Sequence, residues 1–350
     1  GLGGDVPREA LVAPQAGHAP VGALLRLVLV LAATATAGGC ESDGPTTPAK
    51  PEPPKPNFVQ LQSDAGDYIG GGRSYGYTQE DAVIRVTAKG GRLTVQIDGD
   101  EYWTGEFQAP GALARIEPGT YANLRRYPFH DAATGGLSWS GEGRGCNRLA
   151  GSFTVDSVRY AGEQLAAVHL RFEQRCEEGA TALRGTIHWR AEDTTMPPGP
   201  VTPVPSTLWR PAAGATPATG SFVYLVSDPG DFVGAGRTFS YRAGGFTVRA
   251  SGGRVSVSGE WWSGDFQAMS TLGQLQPGYY GDLQRYPFHN PAKGGLDWSG
   301  QGRGCNKLTG WFAVDQVTYT AGRLTAIELR FEQHCEGASP ALRGAIRWSE

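Results

Sequence analysis

The chain has 350 residues, which is long enough for two domains of roughly 100–200 residues each. Glycine and proline together make up about a fifth of the chain, and this composition excludes long helical bundles and coiled coils. Charged residues reach only 19% and the formal net charge is -3, so no basic surface for nucleic acid organises the molecule. The composition favours an extracellular, β-rich protein.

The first forty residues end in a hydrophobic stretch and a cysteine. Residues 27–39 are apolar or small. A transmembrane helix takes about 18–20 apolar residues, so this run fits the hydrophobic region of a secretory signal better. Ala37, Gly38 and Gly39 before Cys40 resemble the lipobox of bacterial lipoproteins. The resemblance implies cleavage before Cys40, lipidation of its thiol, and an anchor in the bacterial outer membrane or cell surface. The alternative is an ordinary secretion signal with an unmodified cysteine.

The start of the chain is unusual. No methionine precedes Met196, and residues 1–20 resemble neither a signal nor a domain. We expect translation to start at a non-ATG codon near Val21, so that residues 1–39 comprise a signal peptide and an upstream stretch that the natural product lacks. A native product that retains Gly1 would contradict this expectation.

Residues 40–57 have the composition of a stalk. Six of the seventeen residues in 41–57 are proline. Such a segment favours extended polyproline geometry and cannot build a core. We predict that it holds the following domains away from the membrane.

The rest of the chain contains two copies of one sequence. Between residues 126–189 and 285–348, 39 of 64 aligned positions are identical without a gap. Residues 63–72 likewise match 227–236. Each copy is long enough to bury its own core, so we predict tandem domains rather than solenoid units. The predicted boundaries are 58–190 for repeat 1, 191–220 for a linker with seven prolines, and 221–350 for repeat 2.

Both copies have the patterning of short β-strands. Residues 246–250 and 254–258 alternate around a Ser-Gly-Gly turn, which predicts a hairpin. In residues 324–333, Ile327, Leu329 and Phe331 share one face. We expect eight to ten strands in each repeat and no long amphipathic helix. The predicted fold class is all-β, with two tandem antiparallel β-sandwich domains of jelly-roll type, and a closed β-barrel is the alternative.

Four cysteines lie within the repeats. Four cysteines allow three connectivities, and the repetition selects one because each copy must satisfy the same geometry with its own pair. The sequence therefore predicts two disulfides of the kind found in exported proteins. No second cysteine or histidine stands at ligand spacing, which makes a zinc site a poor interpretation. The predicted pairs are Cys146–Cys176 and Cys305–Cys335.

Polar residues cluster in sequence around these cysteines. The alternation of residues 169–176 places Gln174 on the core side and Glu173 on the other side. One interpretation is structural, with Gln174 bonded to loop backbone and Glu173 paired with Arg144 or Arg184. The other interpretation is a polar pocket that recognises a ligand beside the disulfide. Its candidate residues are Arg144, Glu173 and Arg184 in repeat 1 and Arg303, Glu332 and Arg343 in repeat 2.

Two aspartates in each repeat lie in a glycine-rich turn. Carboxylate oxygens in such a turn could hold a structural calcium ion, which is the only cofactor that we consider. Asp-Pro-Gly-Asp is also ordinary turn chemistry, and we leave both interpretations open. The four residues are Asp64, Asp67, Asp228 and Asp231.

Aromatic residues are the remaining binding candidates. Strand parity predicts that Trp103 and Trp262 are buried, whereas Tyr102, Trp261 and Trp311 face outward. Exposed Trp and Tyr beside polar groups suit a sugar ring, because an aromatic face is apolar and its edge can donate a hydrogen bond. The alternative is a packed contact between the domains or partial cover by neighbouring loops.

The Arg-Tyr-Pro-Phe-His motif occurs in both copies. We expect Tyr127, Phe129 and their counterparts Tyr286 and Phe288 to form a buried corner. His130 and His289 have no serine or acid partner in a recognised nucleophile motif, so catalysis by them is a poor interpretation.

The sequence therefore predicts a lipid-anchored bacterial surface protein that binds glycan or another extracellular ligand. Its partners would be the membrane, through the anchor, and an extracellular glycan or protein, with no nucleic acid. The alternatives are a structural or adhesive spacer and a glycan-cleaving enzyme. The repeat is similar to uncharacterised modules of bacterial exported proteins, and this resemblance implies no site residues.

Overall fold

A computed structural model describes residues 55–242 and 244–350. All the regular secondary structure in this part of the chain is β-strand, with ten strands in each repeat, which confirms the predicted fold class and strand number. No helix in these ranges is long and apolar enough to cross a membrane. The strands of repeat 1 are β1 Phe58–Ser63, β2 Ser74–Thr78, β3 Val83–Lys89, β4 Arg92–Asp98, β5 Tyr102–Gln108, β6 Gly119–Arg126, β7 Gly136–Gly141, β8 Leu149–Ala161, β9 Gln164–Cys176 and β10 Leu183–Arg190. Those of repeat 2 are β11 Phe222–Ser227, β12 Thr238–Arg242, β13 Phe246–Ser251, β14 Arg254–Gly259, β15 Trp262–Gln267, β16 Gly278–Arg285, β17 Gly295–Gly300, β18 Leu308–Thr320, β19 Arg323–Cys335 and β20 Leu342–Ser349.

The strands of each repeat form one ten-stranded sheet with the same order in both copies. In repeat 1 the order is β2-β1-β10-β9-β8-β6-β7-β5-β4-β3. Neighbouring strands are antiparallel except β6 and β7, which pair in parallel over only two residues, Arg125 with Gly136 and Arg126 with Leu137. The predicted hairpin is present, since β13 pairs with β14 across Ser251 and Arg254.

Each sheet is barrel-like and encloses its own core. Phe107 of β5 contacts Phe153 of β8 and Phe172 of β9, so residues from distant strands of one sheet meet inside. Trp103 and Trp262 are buried, as the alternation predicts, because successive side chains of a strand point to opposite faces. Ile327, Leu329 and Phe331 are also buried on the same face of β19.

The two repeats contact each other within one compact unit. The Asn290 Nδ2 donates to the Asp81 carbonyl at 2.8 Å and to the Asp100 Oδ1 at 2.9 Å. The Lys293 ammonium donates to the other Asp100 oxygen at 2.9 Å. The loop between β16 and β17 of repeat 2 is therefore docked on two loops of repeat 1.

The linker is also fixed at both ends. Near its start, the Gln79 side chain of repeat 1 donates to the Thr195 carbonyl at 2.8 Å. Farther along, Val201 and Tyr279 of β16 exchange two backbone hydrogen bonds of 2.9 Å. The Arg347 guanidinium on β20 then donates to the Ala218 carbonyl at 3.0 Å. The linker therefore runs over the outer face of repeat 2 before entering β11.

Candidate functional site

The two predicted disulfides are present, one in each repeat. Cys146 bonds to Cys176 and Cys305 bonds to Cys335, each across 30 residues of sequence. Each repeat is therefore a module closed by its own covalent bridge. The bridge joins the loop before β8 to the end of β9 in repeat 1, and the loop before β18 to the end of β19 in repeat 2. The polar segments around the cysteines, which occur in both repeats, therefore lie at one end of each sheet.

Gln174 points into the core and is fully buried, as predicted. Its Oε1 accepts from the Trp139 N–H at 2.9 Å, and its Nε2 donates to the Trp139 carbonyl at 2.8 Å. Trp139 lies in the part of β7 that has no partner strand on the β6 side. The Gln174 amide therefore makes the two hydrogen bonds that a neighbouring strand would make with Trp139. It bonds strand backbone rather than the loop backbone that the sequence suggested. Gln333 holds Trp298 in the same way.

Glu173 pairs with Arg184 rather than Arg144. The Arg184 Nε donates to Glu173 at 2.7 Å and its Nη1 donates to Asp64 at 2.7 Å. In repeat 2, Arg343 bridges Glu332 and Asp228 in the same geometry. The arginine hydrogen bond holds the pKa of Asp64, and that of Asp228, below its usual range. These side chains already bind one another, and a ligand-binding role for them stays a prediction.

The second aspartate of each turn binds backbone and a serine. The Asp67 Oδ2 accepts from the Gly70 N–H and the Ser63 hydroxyl, each at 2.7 Å. Asp231 makes the same two bonds with Gly234 and Ser227. In the described ranges, no group of three or more His, Cys, Asp or Glu side chains is placed to hold a metal ion. Asp67 and Asp231 thus bind within their own turn, whereas Asp64 and Asp228 bind an arginine and a backbone N–H of another loop, and calcium stays a prediction.

Arg144 and Arg303 each lie two residues before the first cysteine of their repeat, and each donates a hydrogen bond to the backbone of another loop. The Arg144 Nε donates to the Ile69 carbonyl at 2.8 Å, and the Arg303 Nε donates to the Val233 carbonyl at 2.8 Å. We call residues 141–147 and 300–306 the cysteine loops. Each arginine therefore joins a cysteine loop to the loop after the first strand of its repeat.

Tyr102 and Trp261 lie on the outside, as the parity predicts. The Trp261 side chain is 86% exposed, and Tyr102 is 47% exposed. Trp311 also points outward, but it is only half-buried rather than exposed as expected. Its indole N–H donates to Glu332 at 3.4 Å, and its ring lies 6.2 Å from that of Tyr279.

The prediction of a buried corner in the Arg-Tyr-Pro-Phe-His motif is wrong. Phe129 and Phe288 are 76% and 75% exposed. The motif forms a turn with a cis Tyr-Pro bond in each repeat, and this turn directs the phenylalanine away from the core. The strand alternation that identified buried residues elsewhere does not apply to a turn. The Arg126 guanidinium lies over the Phe129 ring at 5.2 Å, and Arg285 lies over Phe288 at 5.5 Å.

Sequence reasoning missed a third exposed aromatic position. Tyr68 and Phe232 follow the aspartate turns at equivalent places and are both exposed. Their repetition as aromatic residues beside flexible glycines was the signal that could have identified them. With them, six of the eight large hydrophobic side chains exposed in the described ranges occupy the same three positions in both repeats. We call these six residues the aromatic set: Tyr68, Tyr102 and Phe129 in repeat 1, and Phe232, Trp261 and Phe288 in repeat 2.

The three aromatic residues of repeat 1 flank its cysteine loop. The Tyr102 carbonyl accepts from the Glu142 N–H at 3.2 Å. Arg126, which covers Phe129, donates to the Asn147 carbonyl at 3.2 Å. Tyr68 precedes Ile69, the partner of the loop arginine. The three aromatic positions of repeat 1 are therefore linked to one loop rather than scattered over the module.

Repeat 2 has the same arrangement. The Trp261 carbonyl accepts from the Gln301 N–H at 3.0 Å. Arg285 donates to the Asn306 carbonyl at 3.4 Å, and Phe232 precedes Val233, the partner of Arg303. Trp261 and the tip of the loop border a shallow depression of 350 Å³. Exposed polar side chains stand in both loops, namely Glu142, Asn147, Gln301 and Asn306.

Repeat 2 alone has a pair of acids on neighbouring strands. Asp265 of β15 lies directly opposite Asp297 of β17, whereas repeat 1 has Glu106 opposite Ser138. Burial raises the pKa of both aspartates, and the charge of Asp265 raises the pKa of Asp297 further. Like charges directly opposite one another destabilise a sheet, so this pair is a second place where chemistry could occur.

Comparison with known proteins gives no family for this chain. No protein-family model matches it, and neither the curated proteins nor the solved structures contain a significant match. The signal, the lipobox-like cysteine Cys40 and most of the stalk lie outside the described residues. The site therefore has to be interpreted from its own chemistry.

Proposed function

We propose that this protein is a lipid-anchored extracellular binding protein whose two modules bind glycan through the aromatic set. The observation that carries the proposal is the repetition of three exposed aromatic positions in both modules. Isolated exposed apolar residues are ordinary, but the same three positions exposed twice are not explained by packing. Export is supported by the two disulfides, because such bonds persist in oxidising compartments.

Glycan is the ligand class that best suits the chemistry of this end of the module. An aromatic face can cover the apolar face of a sugar ring, and polar side chains can bond its hydroxyls. Both kinds of group lie together here, since Trp261 flanks a loop that exposes Gln301 and Asn306. Two such modules on one chain raise the apparent affinity for a surface that offers many identical sites.

The test is glycan-array binding by the purified full chain, followed by titration of any positive sugar. Trp261→Ala, Phe288→Ala and Phe232→Ala should each weaken binding about thirtyfold or more, because truncation of an interface hot spot costs about 2 kcal/mol or more. Tyr102→Ala, Phe129→Ala and Tyr68→Ala should do the same for repeat 1. A variant with all six residues of the aromatic set changed to alanine should not bind, since neither module would then retain an exposed aromatic face.

Two variants serve as matched controls. Met196→Ala removes an exposed apolar side chain of the linker, and Trp311→Ala removes an outward aromatic residue outside the aromatic set. Neither should change the affinity. A loss confined to Trp311→Ala would move the site to the face that the sequence alone suggested. A blank array would contradict glycan binding and favour the spacer function.

Glycan cleavage is a second candidate function, and one observation favours it. Asp265 and Asp297 lie opposite one another on neighbouring strands, and both have raised pKa values. A glycosidase needs one carboxyl group of raised pKa as its general acid beside a second, ionised carboxylate. Released sugar in the array buffer, lost in Asp265→Asn and retained in Glu106→Gln, would support it. Absence of hydrolysis by the unaltered chain would contradict it.

A further inference from the structure

A pocket opens into the core of repeat 2. It has a volume of 140 Å³ and lies where the start of β11, the end of β20 and the start of β13 meet. Three of the side chains that line it, Phe246, Val248 and Trp348, also pack on the core of the repeat. The other apolar lining residues are Phe222, Val223 and Ile346. The pocket is therefore an apolar extension of the core that reaches the surface.

The same place is closed in repeat 1. Phe246 and Val248 of β13 occupy the positions of Ile84 and Val86 of β3, since the two strands pair in the same register with the strand that follows. Ile84 and Val86 are 7% and 6% exposed, whereas Phe246 and Val248 are only half-buried. Two inward positions of repeat 2 are therefore apolar but incompletely covered.

The connection before β13 explains this difference. Between equivalent strand positions, the connection comprises residues 79–83 in repeat 1 and only residues 243–245 in repeat 2. In the longer connection, Ala82 is buried at 1% exposure. Gly244 stands at the corresponding place of the shorter connection and borders the pocket. The core of repeat 2 is open here because its connection is shorter and has a glycine where repeat 1 has a buried methyl group.

The volume and the lining of the pocket suit a small apolar group. A cavity of about 150 Å³ lined by aliphatic and aromatic side chains holds benzene. A pocket of 140 Å³ therefore accommodates one six-membered ring or a branched alkyl group of similar size. Entry of such a group removes water from the exposed parts of Phe246 and Val248, which is the driving force for binding.

Polar side chains surround the mouth of the pocket. Arg242 and Arg347 line it together with Ser221 and Ser349. The Arg347 Nη2 donates to the Glu328 carboxylate at 3.1 Å, so this acid offsets the charge of Arg347. Arg242 is exposed and adds a further positive charge. A guanidinium recognises a carboxylate through charge-assisted hydrogen bonds, so the mouth suits an anionic group.

We propose that repeat 2 binds a small carboxylate, whose aromatic ring or branched alkyl group enters this pocket and whose charged group contacts Arg242. Repeat 1 does not bind such a ligand, because its core is closed at this place. The inference does not depend on glycan binding, since no residue of the aromatic set lines the pocket.

Titration of the full chain with benzoate and with isovalerate tests the site, followed by saturation-transfer NMR and by the unfolding temperature. Both should bind saturably and raise the unfolding temperature, because a ligand that binds only the folded chain stabilises it. Acetate, which has the carboxylate without the apolar group, should do neither. Benzamide, which has the ring without the charge, should bind about tenfold more weakly than benzoate, since hydrogen bonds to charged groups are stronger.

Three variants locate the binding. Val248→Phe should abolish it without lowering the unfolding temperature, because the added ring extends into the pocket. Arg242→Gln should weaken benzoate about tenfold and leave benzamide unchanged. Arg249→Gln removes an exposed arginine of the same strand, β13, and is the matched control that should change neither affinity.

Several results would overturn the proposal. If neither benzoate nor isovalerate binds saturably, repeat 2 has no such site. Undiminished binding by Val248→Phe would place the ligand outside the pocket. Equal affinities for benzoate and benzamide, or equal losses in Arg242→Gln and Arg249→Gln, would disprove the contact between the carboxylate and Arg242.

Discussion

The two repeats differ most on their outer faces and least at their disulfide ends. Repeat 2 has Trp311, Ala313 and Ala345 where repeat 1 has Ser152, Thr154 and Thr186. The alanines are buried on either side of Arg330, which donates to the Trp209 carbonyl of the linker, whereas the threonines border an open groove. The exposed aromatic positions, by contrast, are the same in both.

This contrast separates packing from function. A face that becomes covered exchanges hydroxyl side chains for apolar ones, because a buried hydroxyl needs a partner. An exposed aromatic side chain has no packing reason to stay aromatic in two copies that have diverged. Even between residues 126–189 and 285–348, 25 of 64 positions differ. The disulfide ends are therefore the better candidates for a shared function. The outer faces differ because the linker contacts that of repeat 2.

Removal of a disulfide should have the largest effect on the free energy of unfolding. We expect the same loss in both repeats. Replacing either cysteine pair with serine should cost about 3–4 kcal/mol, since each bridge closes a loop of 30 residues in the unfolded chain. Urea unfolding of the two double variants measures this cost. A much smaller loss in repeat 2 would show that the docked linker replaces the function of its bridge.

Substitution of the buried glutamines should have the second-largest effect on stability. Gln174→Leu leaves the Trp139 N–H and carbonyl without partners in the core, and Gln333→Leu does the same to Trp298. Each unsatisfied buried group costs about 1–3 kcal/mol, so we expect a loss of about 2–4 kcal/mol in either repeat. Unfolding midpoints provide the measurement. A loss below about 1 kcal/mol would contradict the assigned role of the amide.

Exchanging the residues of the two outer faces tests whether the linker packs on repeat 2. Ala313→Thr with Ala345→Thr should destabilise repeat 2 by about 1–3 kcal/mol and release the linker to proteolysis, because the added atoms have no room beneath it. The reverse change, Thr154→Ala with Thr186→Ala, should alter stability by no more than about 0.5 kcal/mol. Equal effects of the two exchanges would disprove the difference between the faces.

The smallest effect concerns the acid pair of repeat 2. The raised pKa values of Asp265 and Asp297 mean that folding favours their protonated forms. Their contribution to stability is complete below the usual carboxyl range and is lost as the pH rises through the raised pKa. Asp297→Ser, which copies Ser138, should therefore stabilise the protein at pH 7 by about 1 kcal/mol or less. Thermal unfolding across pH should show this gain shrinking toward acid, and a gain independent of pH would contradict the electrostatic cause.

Sequence reasoning succeeded where one rule governs many residues. Alternation placed Trp103, Phe331 and Gln174 in the core, because strands have a period of two. The expectation of a buried corner failed for Phe129, because the residue lies in a turn. Alternation gave the outward direction of Trp311, but this residue is half-buried beside Tyr279 and Glu332. The expectation for Glu173 left two arginines open, and the strand register selected Arg184 as the neighbour.

By itself, the sequence determined the duplication, the all-β class and the cysteine pairing, since each follows from local period or from self-similarity. Only the tertiary structure decided that one continuous sheet forms each module, that the linker contacts Arg330 of repeat 2, and that Asn290 docks on repeat 1. It also decided that Tyr68, Tyr102 and Phe129 surround one loop. The physical reason is that such contacts join residues far apart in the chain, and no local pattern encodes which surfaces will meet.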